Sequence, residues 1–206
     1  MAPGSGALTQ TFHRKAYPAI SPTLPALSQA GRTVLVTGAS GGVGFAIAKG
    51  FILASASRLV ILGRNLSTLD NAAKELKAAA PAGSNTEVVT IQHDAFNTDG
   101  LDGLWEKLKN DSIVVDILVL NAADGANIES LTKEWKRVWT MFESNVLANL
   151  RMTEKFFDQG PEKGKVSHSA PVTPGLTYRP AGALEHFNDA ISSLSSASFT
   201  EFLCHH

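Results

Sequence analysis

The sequence has little cysteine, little net charge and no long apolar run. Cys204 is the only cysteine among 206 residues. It cannot form an internal disulfide, and this favours a reducing compartment, so we expect a cytoplasmic protein. The 18 basic and 19 acidic side chains leave no basic excess to attract nucleic acid or anionic lipid. The longest apolar run, residues 113–120, contains Asp116 and is too short to cross a bilayer. We therefore expect no nucleic-acid partner, no membrane partner and no metal site.

A regular alternation of apolar runs and amphipathic segments fills residues 32–166. The runs "RTVLVT", "RLVIL", "EVVTIQ" and "IVVDILVL" have the length and composition of buried strands. Helical spacing follows each of them, and Ser67 is the predicted N-cap of the second helix. Fully apolar strands separated by amphipathic helices predict a parallel sheet with helices on both faces. The expected fold is α/β and doubly wound, with ligands at the carboxyl ends of the strands.

The chain is predicted to have three parts. Residues 1–31 carry four of the nine prolines and no sustained period, which indicates an N-terminal arm outside the core. Residues 32–166 form the α/β domain. Residues 167–206 contain seven serines, one arginine and no lysine, and the alternation stops there. This last part is predicted to be a divergent, serine-rich segment.

A glycine cluster directly follows the first predicted strand. Gly38, Gly42 and Gly44 stand at the junction with the first helix, in "VLVTGASGGVGFAIAKG". A helix N-terminus presents unpaired N–H groups that suit a phosphate, and glycine lets the ligand approach closely. Phe45 replaces the lysine of a Walker A loop, and Ile47 replaces the third glycine of G-x-G-x-x-G. The cluster therefore predicts a phosphate site of another kind, with a turn that holds no ligand as the alternative.

The spacing T-G-x-x-x-G-x-G resembles the glycine motif of the short-chain dehydrogenase/reductase family, whose members have a Rossmann-like fold and bind NAD(H) or NADP(H). The resemblance covers roughly residues 17–157 and includes "HDAF", "DILVLNAAD" and "FESNVLANL". Asp94 matches the family's acid that contacts the adenine amino group. Asn121 matches the second asparagine of the strand-four motif, and Asn145 matches the asparagine of the long fourth helix.

The resemblance implies a set of cofactor-binding residues. They are Gly38, Ser40, Gly42, Val43, Gly44, Arg64, Asp94 and Asn121. Taken singly, the matched polar residues have simpler interpretations. Asp94 alone favours a helix cap, Asn121 a turn residue, and Asn145 a polar residue on an exposed helix face.

The end of the second predicted strand indicates which cofactor is used. An acid about twenty residues after the glycines would bond the ribose 2′-hydroxyl and select NAD. Gly63 stands there instead, and Arg64 follows it. A guanidinium forms charge-assisted, often bidentate, bonds to a 2′-phosphate. The sequence predicts NADP(H), with simple solvation of the strand end by Arg64 as the alternative.

The resemblance also implies catalytic residues. The family uses a tyrosine, a serine, the fourth-helix asparagine and a lysine four residues beyond the tyrosine, whose charge lowers the phenol pKa. Here Tyr178 and Asn145 match two of these places, with a loop tyrosine at a coincidental position as the alternative for Tyr178. Ser169 is preferred to Ser167 for the serine. Gly182 stands where the lysine would be. This departure puts hydride transfer in doubt more than it does the fold.

Three hypotheses follow. The first is an NADP(H)-dependent reductase of a small carbonyl compound, in secondary metabolism because the N-terminal stretch resembles that of filamentous-fungal members. The second is a nucleotide-binding or partner protein of the same fold that no longer transfers hydride. The third is a truncated or misread enzyme in which the C-terminal strands are missing. Apolar residues on several sides of the helix at about 133–157 leave self-association open.

Overall fold

The computed structural model describes residues 17–125, residues 133–159 and the strand at 168–171. Within these residues, five strands form one sheet: β1 (Thr33–Thr37), β2 (Arg58–Gly63), β3 (Glu87–Gln92), β4 (Ile117–Leu120) and β5 (His168–Pro171). Their spatial order is β3-β2-β1-β4-β5, and every neighbouring pair is parallel. The strand order reverses between β1 and β4, which is where such sheets form a ligand crevice. The predicted α/β, Rossmann-like fold is confirmed.

Helices connect these strands. They are α1 (Gly42–Leu53), α2 (Leu66–Ala78), α3 (Leu101–Asn110), α4 (Trp135–Phe142) and α5 (Ala148–Phe157). A π-helical turn, Glu143–Leu147, joins α4 to α5, so the long fourth helix expected from the sequence is one continuous helical segment with a π turn inside it. The N-cap of α2 is Asn65, which accepts the Thr68 N–H, rather than the predicted Ser67.

Each face of the sheet has its own apolar core. Val34 and Val36 of β1 pack with α1 and α2 on one face. Leu35, between them, packs on the opposite face with α3 and α5, where Phe156 is fully buried. Successive side chains of a strand point to opposite faces, so a strand between two helical layers must be apolar throughout. This is the physical reason that the runs of β1, β2 and β4 are continuous, whereas β3, at the end of the described sheet, has polar and partly exposed positions.

The segment before β1 takes part in the first of these cores. Leu27 is buried in the cluster that includes α1 and α2, and the Gln29 N–H donates to the Ala54 carbonyl at the end of α1. Leu27 therefore contradicts the expectation that residues 1–31 lie outside the core. Its apolar side chain is removed from water in that cluster. At the other end of the sheet, β5 lies beyond residue 166, where the α/β domain was predicted to stop.

The long helical segment is anchored at its C-terminal end. The Gln159 side chain accepts the Val115 N–H at 2.8 Å and donates to the Val115 carbonyl at 3.2 Å. Lys155 forms an ion pair with Asp102 of α3 at 2.5 Å. These contacts fix α5 against α3 and against the residue that leads into β4. None of the helices within 17–125 and 133–159 has both the length and the apolar composition that a bilayer crossing requires.

Candidate functional site

The junction between β1 and α1 presents unpaired backbone amides. Gly38 and Gly42 have φ angles of 67° and 55°, values that side-chain-bearing residues rarely adopt. Gly41 is the N-cap of α1 and supplies no side-chain cap. The first amide of the helix with a backbone acceptor is that of Phe45, which donates to the Gly41 carbonyl at 3.2 Å. The preceding amides of α1 have no acceptor among the described residues, so they suit an anion.

At Gly44, α1 lies close to the residues that follow β1 and β4. A Cβ on Gly44 would press against the Gly38 carbonyl oxygen and lie 2.5 Å from Asn121 Nδ2. Asn121 in turn donates from Nδ2 to the Thr37 carbonyl at 3.0 Å, and its N–H donates to Thr37 Oγ1 at 2.9 Å. Asn121 is thus more than a turn residue, because it joins the carboxyl end of β4 to the carboxyl end of β1 beneath the first turn of α1.

Polar groups stand at the ends of β2 and β1 without local partners. Arg64 directly follows β2 and is exposed, and its guanidinium makes no hydrogen bond or ion pair to another described residue. Its carbonyl accepts from Gln92 Nε2 at 2.9 Å, which fixes the backbone there. A Cβ on Gly63 would lie 3.2 Å from a methyl group of Leu69, so an acid at this position would crowd α2. Ser40 lies half-buried in the glycine turn, and its hydroxyl bonds no other described residue.

Asp94 lies just beyond β3 and is exposed. One carboxylate oxygen accepts the Phe96 N–H at 3.1 Å within a local turn. It does not cap the next helix, because Gly100 is the N-cap of α3 and Asn97 accepts the Gly100 N–H. The cap interpretation is therefore wrong for this residue.

Gly38, Arg64, Asp94 and Asn121 all follow carboxyl ends of neighbouring parallel strands, so they line one edge of the sheet. Their order along the edge is Asp94, Arg64, Gly38 and Asn121. With strands about 4.8 Å apart, the row spans about 14 Å. A row of this length, with amides at its middle and an exposed cation and an acid on one side, suits a dinucleotide whose pyrophosphate lies at α1.

Asn145 lies in the π turn, and both the oxygen and the nitrogen of its side-chain amide form hydrogen bonds. Its Oδ1 accepts the Asp124 N–H at 2.8 Å, and its Nδ2 donates to the Asp124 carbonyl at 3.0 Å. The Asn145 carbonyl accepts from Asn149 Nδ2 at 2.8 Å. A π turn shifts the helical ladder by one residue and is often found at functional sites. Asn145 is therefore not a polar residue on an exposed face, since its side chain fixes the segment after β4.

A second contact to Asp124, beside those of Asn145, was not indicated by the sequence. Arg137 of α4 binds the Asp124 carboxylate through both terminal nitrogens, at 2.7 and 2.6 Å. The hydrogen bonds that Arg137 donates to the Asp124 carboxylate hold the pKa of Arg137 above its ordinary value. The stretch "DILVLNAAD" ends at Asp124 but assigns it no role, and no motif marks Arg137. The 13-residue separation of the two residues has no helical or strand period.

The predicted catalytic set is not brought together within the described residues. Tyr178 and Ser167 lie outside them, as does Gly182. Ser169 is on β5, where it pairs with Leu118 of β4. Asn145 is the member whose surroundings are described. Residues 17–125 and 133–159 hold no group of three His, Cys, Asp or Glu side chains that could bind a metal ion.

His93, which precedes Asp94, gives the fold a pH dependence. Its Nε2 is buried without a hydrogen-bond partner in the described part of the chain. Burial lowers the pKa of this imidazole below its ordinary 6.5, and the Asp94 charge raises it in part. The unfolded chain then takes up a proton more readily than the folded chain. The stability contributed by neutral His93 is complete above pH 6.5 and is lost as the pH falls through the folded-state pKa.

We expect His93→Gln to reduce this loss. Urea unfolding of the parent and the variant at about pH 7.5 and about pH 5.5 measures it, since histidines titrate in that range. The parent should lose more unfolding free energy on acidification than the variant does. Equal losses in both proteins would contradict the role assigned to His93, because all other titrating groups are common to the two.

Comparison with known proteins gives consistent similarities. The family model described as short chain dehydrogenase matches residues 32–167. A short chain dehydrogenase/reductase of Claviceps purpurea is 30% identical over 84% of this chain and 56% of its own length. An NADP-dependent 3-hydroxy acid dehydrogenase of Schizosaccharomyces pombe is 27% identical over 60% of this chain and 46% of its own. The chain spans about half the length of the curated relatives it matches.

Among solved structures, the chain is similar to the L-sorbose reductase of Gluconobacter frateurii, determined with NADPH and L-sorbose. The two share 28% sequence identity and a TM-score of 0.54 over 63% of this chain and 47% of that one.

Proposed function

The chain belongs to the short chain dehydrogenase family, and from that premise we propose that it is an NADP(H)-dependent oxidoreductase that reduces a ketone or aldehyde of a small molecule. The observation that carries the proposal is the row of unpaired α1 amides, set between Arg64 on one side and Asn121 on the other. The amides fit the pyrophosphate of the cofactor, and the guanidinium fits its 2′-phosphate.

The preference for NADP(H) over NAD(H) is supported by the end of β2. Arg64 is exposed and has no described partner, so its guanidinium is available to a 2′-phosphate. Leu69 crowds the place where an NAD-selecting acid would stand. The Schizosaccharomyces relative is named as NADP-dependent, and the Gluconobacter reductase was determined with NADPH.

In this proposal the amides at Gly42, Val43 and Gly44 bind the pyrophosphate and Asp94 binds the adenine amino group. Bound NADPH supplies the hydride. Tyr178, assigned from the sequence, donates a proton to the carbonyl oxygen. Gly182 stands where the family's lysine would lower the phenol pKa, and a protonated phenol suits reduction better than alcohol oxidation.

The second candidate is a partner protein that binds the nucleotide without transferring hydride. Gly182 in place of the lysine favours it, because the loss of a charge-assisted anchor on the ribose would disturb hydride geometry.

Titration of the purified chain with NADPH and NADH, followed by turnover with a panel of ketones and quinones, separates these candidates. The reductase should bind NADPH more tightly than NADH and oxidise it with at least one carbonyl substrate. Tight NADPH binding without turnover selects the partner protein. No binding of either nucleotide would contradict both candidates.

We also propose that the chain self-associates through its long helical segment. Five large apolar side chains at helical spacing are between 47% and 62% exposed: Trp135, Trp139, Phe142, Val146 and Leu150. Such a stripe is typical of a packed helix face. We expect Leu150→Glu to shift the chain to a smaller species in sedimentation velocity. The matched control is Leu66→Glu, which changes an exposed leucine on α2. Equal behaviour of the two variants would contradict the proposal.

A role in secondary metabolism and a cytoplasmic location remain proposals from the sequence. The first rests on the resemblance of the N-terminal stretch to that of filamentous-fungal members of the family. Loss of a metabolite after gene deletion would test it, and fractionation of cells that produce the tagged chain would test the second.

A further inference from the structure

The two halves of a dinucleotide meet different parts of the sheet edge. Arg64 and Asp94 follow β2 and β3, on one side of the glycine turn. β4 lies on the other side of β1. With the pyrophosphate at α1 and the adenosine toward β2 and β3, the nicotinamide half must extend toward β4. The segment after β4, residues 121–125, therefore borders the nicotinamide half rather than the adenosine half.

Asp124 is the most firmly held residue of this segment. Its backbone N–H and carbonyl are both bonded by Asn145. Its carboxylate is gripped by both terminal nitrogens of Arg137, and its side chain is only 18% exposed. Planar, two-point contact of this kind fixes orientation as well as distance.

The Arg137 contact is not what holds the long helix on the sheet. Gln159 and Lys155 anchor α5 from the far end, and Met152 and Phe156 are buried against the sheet. No side chain of α4 is buried, and the described contacts of the N-terminal part of the segment with the β4 end include those of Arg137 and Asn145 with Asp124. The Arg137–Asp124 ion pair can therefore fix the position of the segment after β4, although other contacts hold the long helical segment on the sheet.

We propose that Arg137 is a positioning residue, whose bidentate contact with Asp124 holds residues 121–125 in the place that the nicotinamide half of NADP(H) requires. This inference rests on the proposed function. It predicts a selective effect, because the adenosine half of the cofactor is held by groups at the ends of β2 and β3 that Arg137 does not touch.

The test compares NADPH with adenosine 2′,5′-bisphosphate, a fragment that has the adenosine half and its 2′-phosphate but no nicotinamide. Both are titrated against the parent, Arg137→Gln, Asp124→Asn and the double variant. We expect about tenfold weaker NADPH binding for each single variant, which is 1.4 kcal/mol, and unchanged binding of the bisphosphate. The double variant should bind NADPH no more weakly than either single variant, since both break the same contact.

Arg151→Gln is the matched control, because it removes an arginine of the same segment whose ion pair with Glu154 is exposed. It should leave both titrations unchanged. Urea unfolding accompanies every variant, and if Arg137→Gln does not fold, the nearly isosteric Asp124→Asn carries the comparison. Equal weakening of both ligands, or of neither, would overturn the inference while NADPH binding by the parent leaves the proposed function standing. Failure of the parent to bind NADPH would overturn both.

Discussion

Gly44→Ala should weaken NADPH binding by about tenfold to a hundredfold, and Gly44→Val should abolish it. The added Cβ meets the Gly38 carbonyl and Asn121 Nδ2, which are backbone and a side chain fixed by its own hydrogen bonds. Neither can move without disturbing the amides that bind the pyrophosphate. Overpacking of this kind costs about 1–3 kcal/mol, and each 1.4 kcal/mol is about a tenfold change in affinity.

Fluorescence titration with NADPH measures the binding, and urea unfolding measures the fold. Gly103→Ala is the control. A Cβ there meets nothing within 4 Å, and alanine in a helix interior is more stable than glycine by about 1 kcal/mol. It should therefore bind NADPH as the parent does and unfold at slightly higher urea. If Gly44→Val bound NADPH like the parent, the amide-lined turn would not be the pyrophosphate site.

The sheet could be predicted because nearly every residue of its central strands is buried, and these strands must therefore be mainly apolar. Leu35 faces one helical layer while Val34 and Val36 face the other, so a parallel strand covered on both faces must be an unbroken apolar run. β5, with the sequence "HSAP", carries no such run. The position of β5 at the end of the sheet is known from its pairing with β4, and its composition could not predict it.

Local chemistry was harder to predict where neighbouring residues compete for one role. Asn65 and Ser67 are both good N-cap residues, and the structure uses Asn65, with Ser67 donating to the Asn65 side chain. The π turn was also invisible, because apolar spacing continues on both sides of it and one extra residue in the ladder leaves the pattern nearly unchanged. Yet this turn is what aims Asn145 at Asp124.

The candidate site also contains residues that the sequence could indicate and residues that it could not. Glycines and polar residues directly after strands can be placed from sequence, because parallel strands end at a common edge. In this row, the family resemblance supplied Asp94 and Asn121, whereas Gly38 and Arg64 were also indicated by their places after the first two predicted strands. The Arg137–Asp124 pair joins a loop to a helix through tertiary structure alone, and no spacing rule connects such residues.

Arg64→Asp should reverse the cofactor preference. Charge-assisted bonds contribute about 1.5–3 kcal/mol, so their loss should weaken NADPH binding by about tenfold to a hundredfold. The new carboxylate also repels the 2′-phosphate, whereas with NADH it can accept a hydrogen bond from the free 2′-hydroxyl. NADH affinity should therefore stay the same or rise while NADPH affinity falls. Parallel titrations with the two nucleotides measure the ratio.

Lys74→Asp separates local contact from general electrostatics. It makes the same change of charge at an exposed lysine on α2. Exposed charges farther apart than about 8–10 Å are largely screened at moderate ionic strength. If the Arg64 guanidinium contacts the 2′-phosphate, Arg64→Asp should change the ratio of NADPH to NADH affinity strongly. Lys74→Asp should leave that ratio almost unchanged. Equal shifts would mean that Arg64 acts only through net charge, and an unchanged ratio in Arg64→Asp would refute its assignment to the 2′-phosphate.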